Sequence, residues 1–252
     1  MSRREQYLAA LGIDLWQART PARPPVRTAA LQEVRAAALE APDALEAAAP
    51  SCDAAQSDAA IWQALRAEVS TCTRCELCRT RTQTVFGVGD TRAELLVIGE
   101  APGADEDRLG EPFVGRAGQL LNSMLRAMGT ARERVYIANI LKCRPPANRD
   151  PRPDEVASCL PYLQRQIELL RPTLILAVGR IAAQNLLATD TPIGRLRGRL
   201  HGFGASRLPL IVTYHPAYLL RSPTEKRKAW SDLKFVRAEL SRLRPQQNAA
   251  AH

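Results

Sequence analysis

The chain has 252 residues, 46% of them hydrophobic, and a formal net charge of +9. This length suits one large domain or two small ones, with enough apolar residues for a sizeable core. No apolar run approaches the roughly 20 residues of a membrane helix, and the N-terminus lacks the apolar core of a signal peptide. We therefore expect a cytoplasmic protein without membrane contact.

The positive charge belongs to the larger, C-terminal part of the chain. Residues 1–60 contain 6 Lys/Arg and 8 Asp/Glu, a net of −2, so residues 61–252 carry 29 against 18, a net of +11. A basic globular body indicates a polyanionic partner, most often nucleic acid. Ordinary solubility charge is the alternative interpretation.

Both ends of the chain have the composition of flexible segments. Within residues 29–60, 14 of 32 residues are alanine and large apolar side chains are scarce. Such a sequence buries too little apolar surface to offset the entropy of ordering it. We therefore predict a disordered Ala/Pro-rich extension over 1–60, a globular domain over 61–244 and a flexible tail over 245–252.

Within the predicted globular domain, strand patterns alternate with helix patterns. Near-continuous apolar runs, typical of parallel strands covered on both faces, lie at 95–99, 135–140, 173–179 and 208–214. Helical periodicity occurs at 61–69, 118–129, 153–170, 180–188 and 224–243. This alternation predicts an α/β sandwich.

Polar segments follow the predicted strands. They are GEAPGADED at 99–107, the segment from Asn139 through 142–153, GRIAAQ at 179–184, and YHPAYLLR at 214–221. In such folds ligands bind beyond the carboxyl ends of the strands, so these segments predict a site at one sheet edge. The GEAPGADED loop could cradle a phosphate or hold a base. Its carboxylates, and the absence of known phosphate-loop motifs from the chain, weaken the phosphate interpretation.

Three side chains at this edge suit recognition of a base. The amide of Asn139 both donates and accepts, so it can read the O4 and N3–H edge of uracil and reject cytosine. A neutral His215 can donate to an oxygen on which negative charge develops. Phe113, in a loop rich in glycine and proline, can stack on a base. The alternatives are a turn-capping amide, a structural histidine and an aromatic core anchor.

One carboxylate of the same edge suits a different task. Glu100 directly follows the first strand. A carboxylate there fits a cationic, oxocarbenium-like transition state better than it fits a phosphate.

The cysteines indicate a metal site. Cys72 and Cys75 form a C-x-x-C pair, and Cys143 and Cys159 lie further along the chain. Thiolates from distant segments can close a tetrahedral site, although small buried thiols are the alternative. Spacing does not separate zinc from a [4Fe–4S] cluster, and Cys78 competes as a ligand.

Four segments together resemble a known enzyme family. These are CTRCELCRTRTQTVFGVG at 72–89, GEAPGADEDRLGEPFVGRAGQLL at 99–121, VYIANILKCRPPANRDP at 135–151, and YHPAYLLR at 214–221. They closely resemble the family 4 uracil-DNA glycosylases, and the resemblance covers about residues 70–236. It implies a three-layer α/β/α sandwich with a central four-stranded parallel sheet. It also implies a [4Fe–4S] cluster on Cys72, Cys75, Cys143 and Cys159, with Cys78 not a ligand.

The resemblance implies hydrolysis of the N-glycosidic bond of deoxyuridine in DNA. Uracil leaves, an abasic site remains, and base excision repair begins; the nucleotide must first leave the stack. The resemblance places Phe113 against the uracil, Asn139 at its edge and His215 at its O2. Glu106 is expected to exclude the thymine methyl, while Glu100 positions water or offsets charge on the sugar. Gly99 and Ala101 are expected to complete the uracil pocket.

The resemblance also implies how DNA is held. Leu219 and Leu220 are expected to enter the duplex, with Arg221 near a phosphate; core packing is the alternative for both leucines. The expected partner is uracil-containing DNA, single- or double-stranded, bound by a monomer. The extension at 1–60 could contact a repair or replication protein.

The chain departs from the best-known uracil glycosylases in the motif that holds the attacking water. Ala101 and Gly103 stand where those enzymes have the aspartate and tyrosine of G-Q-D-P-Y. Two other functions remain open from the residues: a cluster-containing DNA-binding protein that does not cleave, and a nucleotide-binding protein with structural zinc.

Overall fold

The structure is a computed structural model that describes the backbone of residues 52–250 and the side chains of residues 58–243. Most of the predicted extension and the end of the predicted tail lie outside these residues. The first described helix, α1 (Cys52–Ser70), contains the predicted helical run 61–69 and begins nine residues before it.

A six-stranded sheet forms the centre of the described region. Its strands are β1 (Val88–Gly89), β2 (Leu95–Gly99), β3 (Tyr136–Asn139), β4 (Leu174–Val178), β5 (Leu200–Phe203) and β6 (Leu208–Thr213). The order across the sheet is β1-β3-β2-β4-β6-β5. The four inner strands are parallel, and the two edge strands pair antiparallel to their neighbours.

The helices lie in two layers. After α1 they are α2 (Ala104–Leu109), α3 (Arg116–Ala127), α4 (Pro153–Leu170), α5 (Arg180–Leu187), α6 (Ile193–Leu196), α7 (Pro216–Arg221) and α8 (Lys226–Ala250). Side chains of α1, α4 and α5 form one apolar core with the sheet, and side chains of α3, α7 and α8 form the other. Two buried faces explain why the inner strands are apolar at successive positions rather than alternately.

The predicted α/β/α sandwich and its four parallel strands are confirmed. The structure adds two short edge strands, one of only two residues, and three helices of four to six residues. Such short elements carry too few residues for a periodic pattern to reveal them. No helix of the described region is both long and apolar enough to cross a membrane.

Helix and strand ends carry the polar segments to one edge. Parallel strands end on the same side of a sheet, so the residues after β2, β3, β4 and β6 meet there. In α2, which begins after Gly103, the carboxylate of Glu106 accepts a hydrogen bond from the Gly103 backbone amide. In α4 the carboxylate of Glu155 accepts from the Arg152 amide in the same way. These caps satisfy donors that a helix start leaves unpaired.

Candidate active site

A cavity of about 740 Å³ opens at the carboxyl edge of the sheet. It collects side chains from all four inner-strand ends and from the loops after them. Five of the residues predicted for catalysis or base recognition line it, namely Glu100, Glu106, Phe113, Asn139 and His215. Ala101 and Arg221 also line it. Gly99, predicted for the uracil pocket, does not line the cavity but lies against the side chains of Asn139 and Phe113.

Asn139 supplies the cavity with an unpartnered acceptor. The residue ends β3 and is only 2% exposed, yet its Oδ1 has no hydrogen-bond partner among the described residues. A buried polar atom without a partner costs roughly 1–3 kcal/mol, so such atoms are uncommon away from functional sites. A Cβ on Gly99 would lie 2.4 Å from this oxygen, so only glycine leaves the amide room. The geometry indicates that Oδ1 is available to accept a hydrogen bond from a ligand.

Phe113 forms an aromatic wall of the cavity. Its ring centroid lies 5.6 Å from that of His215, with 31° between the planes. The residue is buried and has a φ of 54°, in the left-handed region that non-glycine residues seldom occupy. Strained backbone of this kind persists where the surrounding contacts hold it, and it clusters at binding sites.

His215 presents a neutral imidazole to the cavity. It caps the start of α7, where its Nδ1 accepts a hydrogen bond of 3.1 Å from the Ala217 amide. The acceptor role of Nδ1 assigns the proton of the neutral ring to Nε2. Burial, helped by the nearby Arg221, lowers the pKa of His215 to about 4. The ring therefore offers an N–H donor without carrying a full charge.

The carboxylate of Glu106 organises the loops around the cavity. Its Oε1 accepts from the amides of Val114 (2.9 Å) and Gly115 (3.1 Å), and its Oε2 accepts from the amide of Gly103. Both oxygens are thus held by backbone donors from two separate loops. Glu106 lines the cavity as predicted, and its contacts show that it also joins the loop after β2 to the loop of Phe113.

Glu100 occupies a partly desolvated position at the cavity. Burial and, to a smaller extent, the nearby Asp150 raise the pKa of its carboxyl, while Arg180 opposes them, so that the pKa is about 7. Asp150 and Arg180 themselves form an ion pair of 2.5 Å at the cavity rim. A carboxyl with a pKa near neutrality can exchange a proton or accept a positive partner under ordinary conditions.

Sequence reasoning missed several residues of the cavity. Asn148, Asp150, Arg180 and Tyr218 line it, although none was singled out. Asn148 and Asp150 belong to the polar segment after β3, and Arg180 directly follows β4. The rule that ligands bind beyond the strand ends could have identified these three.

The segment predicted to enter a DNA duplex divides between core and surface. Leu219 is 1% exposed and packs in the core between the sheet and its helices, so the alternative interpretation holds for this residue. Leu220 is 36% exposed, and Arg221 is exposed at the cavity. In the six-residue helix α7, consecutive residues point in different directions, which the sequence pattern did not reveal.

The cysteines predicted as ligands meet in one place. Cys72, Cys75, Cys143 and Cys159 line a small cavity between α1 and α4, together with Cys78. In the described part of the chain, no group of three or more His, Cys, Asp or Glu residues is placed to hold a single metal ion. A four-iron cluster makes a different demand, because each thiolate binds its own iron and the ligands stand further apart.

Hydrogen-bond donors lie beside two of these sulfur atoms and oppose the burial that raises the pKa of Cys143 and raises that of Cys159 to about 11. The guanidinium of Arg81 donates to Cys143 Sγ at 3.1 Å, and the Lys142 amide donates to Cys159 Sγ at 3.2 Å. Lys142 is itself 1% exposed, and none of the ion pairs in the described region includes it. Buried cations and amide donors stabilise thiolates. The four thiols and their donors therefore fit a thiolate-ligated cluster.

Comparison with known proteins agrees with this geometry. The model of the uracil DNA glycosylase superfamily matches residues 86–234. A type-4 uracil-DNA glycosylase of Archaeoglobus fulgidus is 47% identical over 67% of this chain and 88% of its own length. Type-4 enzymes of Saccharolobus solfataricus (41%; 69% and 84% covered) and Thermotoga maritima (44%; 61% and 80% covered) are also similar.

These matches span the cavity and all four inner strands, and they confirm the family predicted from the four sequence segments. Identities of this size over most of the relatives' length accompany a shared fold. The chain therefore belongs to the uracil DNA glycosylase superfamily, within its type-4 group.

Proposed function

We propose that the chain hydrolyses the N-glycosidic bond of deoxyuridine in DNA, releasing uracil, leaving an abasic site and initiating base excision repair. The observation that carries this proposal is the unpartnered Oδ1 of Asn139, buried in a cavity beside the rings of Phe113 and His215. The similarity to type-4 uracil-DNA glycosylases supports the same reaction.

Base recognition follows from the chemistry of an amide. Asn139 Oδ1 accepts the N3–H of uracil, and its Nδ2 donates to O4. Cytosine offers an acceptor at N3 and a donor at N4, so each contact becomes a clash of like groups and the buried amide stays unpaired. Sites that hydrogen-bond a substrate in this way reject its mismatched analogue strongly. Phe113 stacks on the base after the nucleotide leaves the duplex.

Bond cleavage places negative charge on uracil and positive charge on the sugar. The Nε2–H of neutral His215 donates to the uracil O2 as charge develops there. Glu100, when ionised, offsets the positive charge of the sugar or orients the attacking water. To Glu106, which three backbone amides hold in place, we assign the exclusion of the thymine methyl.

We assign DNA binding to exposed residues of helix α7, near the cavity. Leu220 and Arg221 are both exposed, and Arg221 lines the cavity. We assign Leu220 to filling the gap in the duplex and Arg221 to a backbone phosphate. The substrate is uracil-containing DNA, single- or double-stranded, bound by a monomer in the cytoplasm. The net charge of +11 on residues 61–252 favours a polyanion.

The four-cysteine cavity holds a [4Fe–4S] cluster in this proposal. Cys72, Cys75, Cys143 and Cys159 supply one thiolate each, and Cys78 stays outside the ligand set. The cluster, when bound, acts as a cross-link between the segment after α1, the loop after β3 and helix α4. Arg81 and the Lys142 amide stabilise two of the thiolates.

The test uses an oligonucleotide with a single uracil, beside the same strand with thymine. After incubation with the protein, alkali reveals abasic sites as breaks. We expect cleavage at uracil only, and loss of cleavage by at least about 100-fold in Asn139→Ala, because the base-reading contacts vanish. No cleavage by protein that contains its iron would contradict the proposal and favour a DNA-binding protein without this activity.

A further inference from the structure

The strained loop that carries Phe113 is anchored by an arginine outside the cavity. Arg132 lies in a short turn before β3, 19 residues beyond Phe113 in sequence. Its Nη1 donates to the Phe113 carbonyl oxygen at 3.2 Å, and its Nη2 donates to the Pro112 carbonyl oxygen at 2.5 Å. A planar guanidinium can hold two neighbouring acceptors at a fixed separation, which an ammonium cannot do.

Arg132 is committed to these carbonyls. Its Nη1 also donates to Asn122 Oδ1 at 3.2 Å, on helix α3. Arg132 takes part in none of the close ion pairs formed by the described residues, although Glu111, Glu133 and Glu106 lie near enough to favour its charge. A half-buried guanidinium that donates to backbone oxygens rather than to a carboxylate stabilises the conformation of the loop.

The loop is gripped from two sides. Arg132 holds the carbonyls of Pro112 and Phe113, and Glu106 holds the amides of Val114 and Gly115. All four backbone groups belong to residues 112–115, and Phe113 within this stretch has a φ of 54°. The side chains of Arg132 and Glu106 thus secure a left-handed conformation that persists only where the surrounding structure holds it.

The loop that carries Phe113 packs closely against helix α3. A Cβ on Gly118 would lie 1.8 Å from the Phe113 carbonyl oxygen, so the loop passes directly over the first turn of α3. The carbonyl oxygen therefore faces α3 and Arg132, and the Phe113 ring lies on the cavity side, within 2.6 Å of a Cβ built on Gly99.

We propose that Arg132 is a positioning residue for uracil excision, which holds the Phe113 ring in its stacking orientation through the Pro112 and Phe113 carbonyls. This inference rests on the proposed function. Arg132 does not line the cavity, so we expect its effect on the reaction to pass through the loop that carries Phe113.

A double-mutant cycle tests this coupling. Arg132→Ala, Phe113→Ala and the double variant are compared with wild type in single-turnover excision of uracil from a single-stranded oligonucleotide. We expect Arg132→Ala to lower kcat/KM by roughly 10–100-fold, since a misplacement near 1 Å can have that effect. The double variant should be no slower than Phe113→Ala alone, because residues acting as one unit are not additive.

Two further variants separate positioning from folding. Arg134→Ala removes an exposed arginine two residues away and should leave excision at the wild-type rate. Arg132→Lys keeps the charge but cannot span both carbonyls, so it should fold and still excise more slowly, and added guanidinium ion should restore Arg132→Ala in part. The rescue is a readout that a general loss of stability would not produce.

The outcomes distinguish this inference from the function on which it rests. If wild type excises uracil and Arg132→Ala and Arg132→Lys equal it, the inference is overturned while the function stands. Additive losses in the double variant overturn it as well. If the wild type with its iron does not excise uracil, the proposed function fails and the inference fails with it.

Discussion

The Lys142 ammonium donates a hydrogen bond of 3.0 Å to the backbone carbonyl oxygen of Asn139. The same lysine donates its backbone amide to Cys159 Sγ and its Nζ to Gln166 Oε1 at 2.6 Å. One buried residue therefore contacts both the strand end that carries Asn139 and the cavity of the four cysteines. The two sites belong to one hydrogen-bonded unit.

Gln166 is the side chain that links the most members of this hydrogen-bonded unit. It is fully buried, and besides accepting from Lys142 it donates to the Phe86 carbonyl oxygen and lies 3.3 Å from Tyr136 Oη. We expect Gln166→Leu to lower stability by about 2–4 kcal/mol, because it leaves several buried polar groups without partners. That corresponds to roughly 5–15 °C in Tm for a domain of this size.

Thermal unfolding followed by circular dichroism measures this change. Gln164→Leu is the matched control, because Gln164 lies exposed on the same helix and should shift Tm little. Equal Tm values for the two leucine variants would show that the buried network contributes nothing to stability.

Gly99 is predicted to be intolerant of even one added carbon. A Cβ there would lie 2.4 Å from Asn139 Oδ1 and 2.6 Å from Phe113 Cζ, so Gly99→Ala must displace the amide or the ring. We expect uracil excision to fall by about 100-fold or more. Gly194→Ala, where an added Cβ meets nothing within 4 Å, should excise at the wild-type rate. Normal excision by Gly99→Ala would contradict the assigned pocket.

Glu100 predicts the pH dependence of the reaction. The pKa of its carboxyl is raised to about 7, mainly by burial, while that of His215 is lowered to about 4. If the ionised carboxylate assists catalysis, kcat should rise with pH through a midpoint near 7 and then level off. Glu100→Gln should be slower by roughly 100-fold and lack this inflection. A wild-type profile that is flat from pH 6 to 8 would contradict the role.

The raised pKa of Glu100 also predicts how stability changes with pH: activity should rise with pH, whereas stability should fall. The folded chain holds the Glu100 proton more tightly than the unfolded chain, whose ordinary pKa is 4.5, so stability falls as pH rises from 4.5 to about 7. After a discount for solvent screening of this partly exposed group, the loss is about 1–2 kcal/mol. Glu100→Gln should therefore raise Tm at pH 8 and not at pH 4.5; a lower Tm at pH 8 would refute this.

The cysteines predict a coloured, iron-containing protein. Cys143→Ala should remove the visible absorbance and the bound iron and should lower Tm, since the proposed cluster would join three chain segments. We expect the variant to lose stability before its chemistry changes. At low temperature, where it stays folded, it should therefore excise uracil at close to the wild-type rate. Cys78→Ser is the control and should keep both iron and absorbance. A variant with no iron and an unchanged Tm would contradict the structural role.

Much of this protein was legible in the sequence because the signals were local and repeated. The runs at 95–99 and 208–214 are apolar at successive positions, which only a strand covered on both faces requires. Polar residues at or directly after the ends of such strands, Asn139 and Glu100 among them, indicate a site, since parallel strands end at one edge. Several motifs in the right order then identified the family, which the comparisons confirm.

Only the tertiary structure decided what depends on contacts between distant residues. It buried Leu219 while exposing Leu220, because the orientation of α7 on the sheet is set by packing and not by composition. It joined Arg132 to Phe113 across 19 residues and left Asn139 Oδ1 without a partner among residues 58–243, whose side chains are described. Residue types and their periods act locally and can be read along the chain. The partner of a charged group or an amide depends on the packed fold, because packing brings together residues that lie far apart in the sequence at no regular spacing.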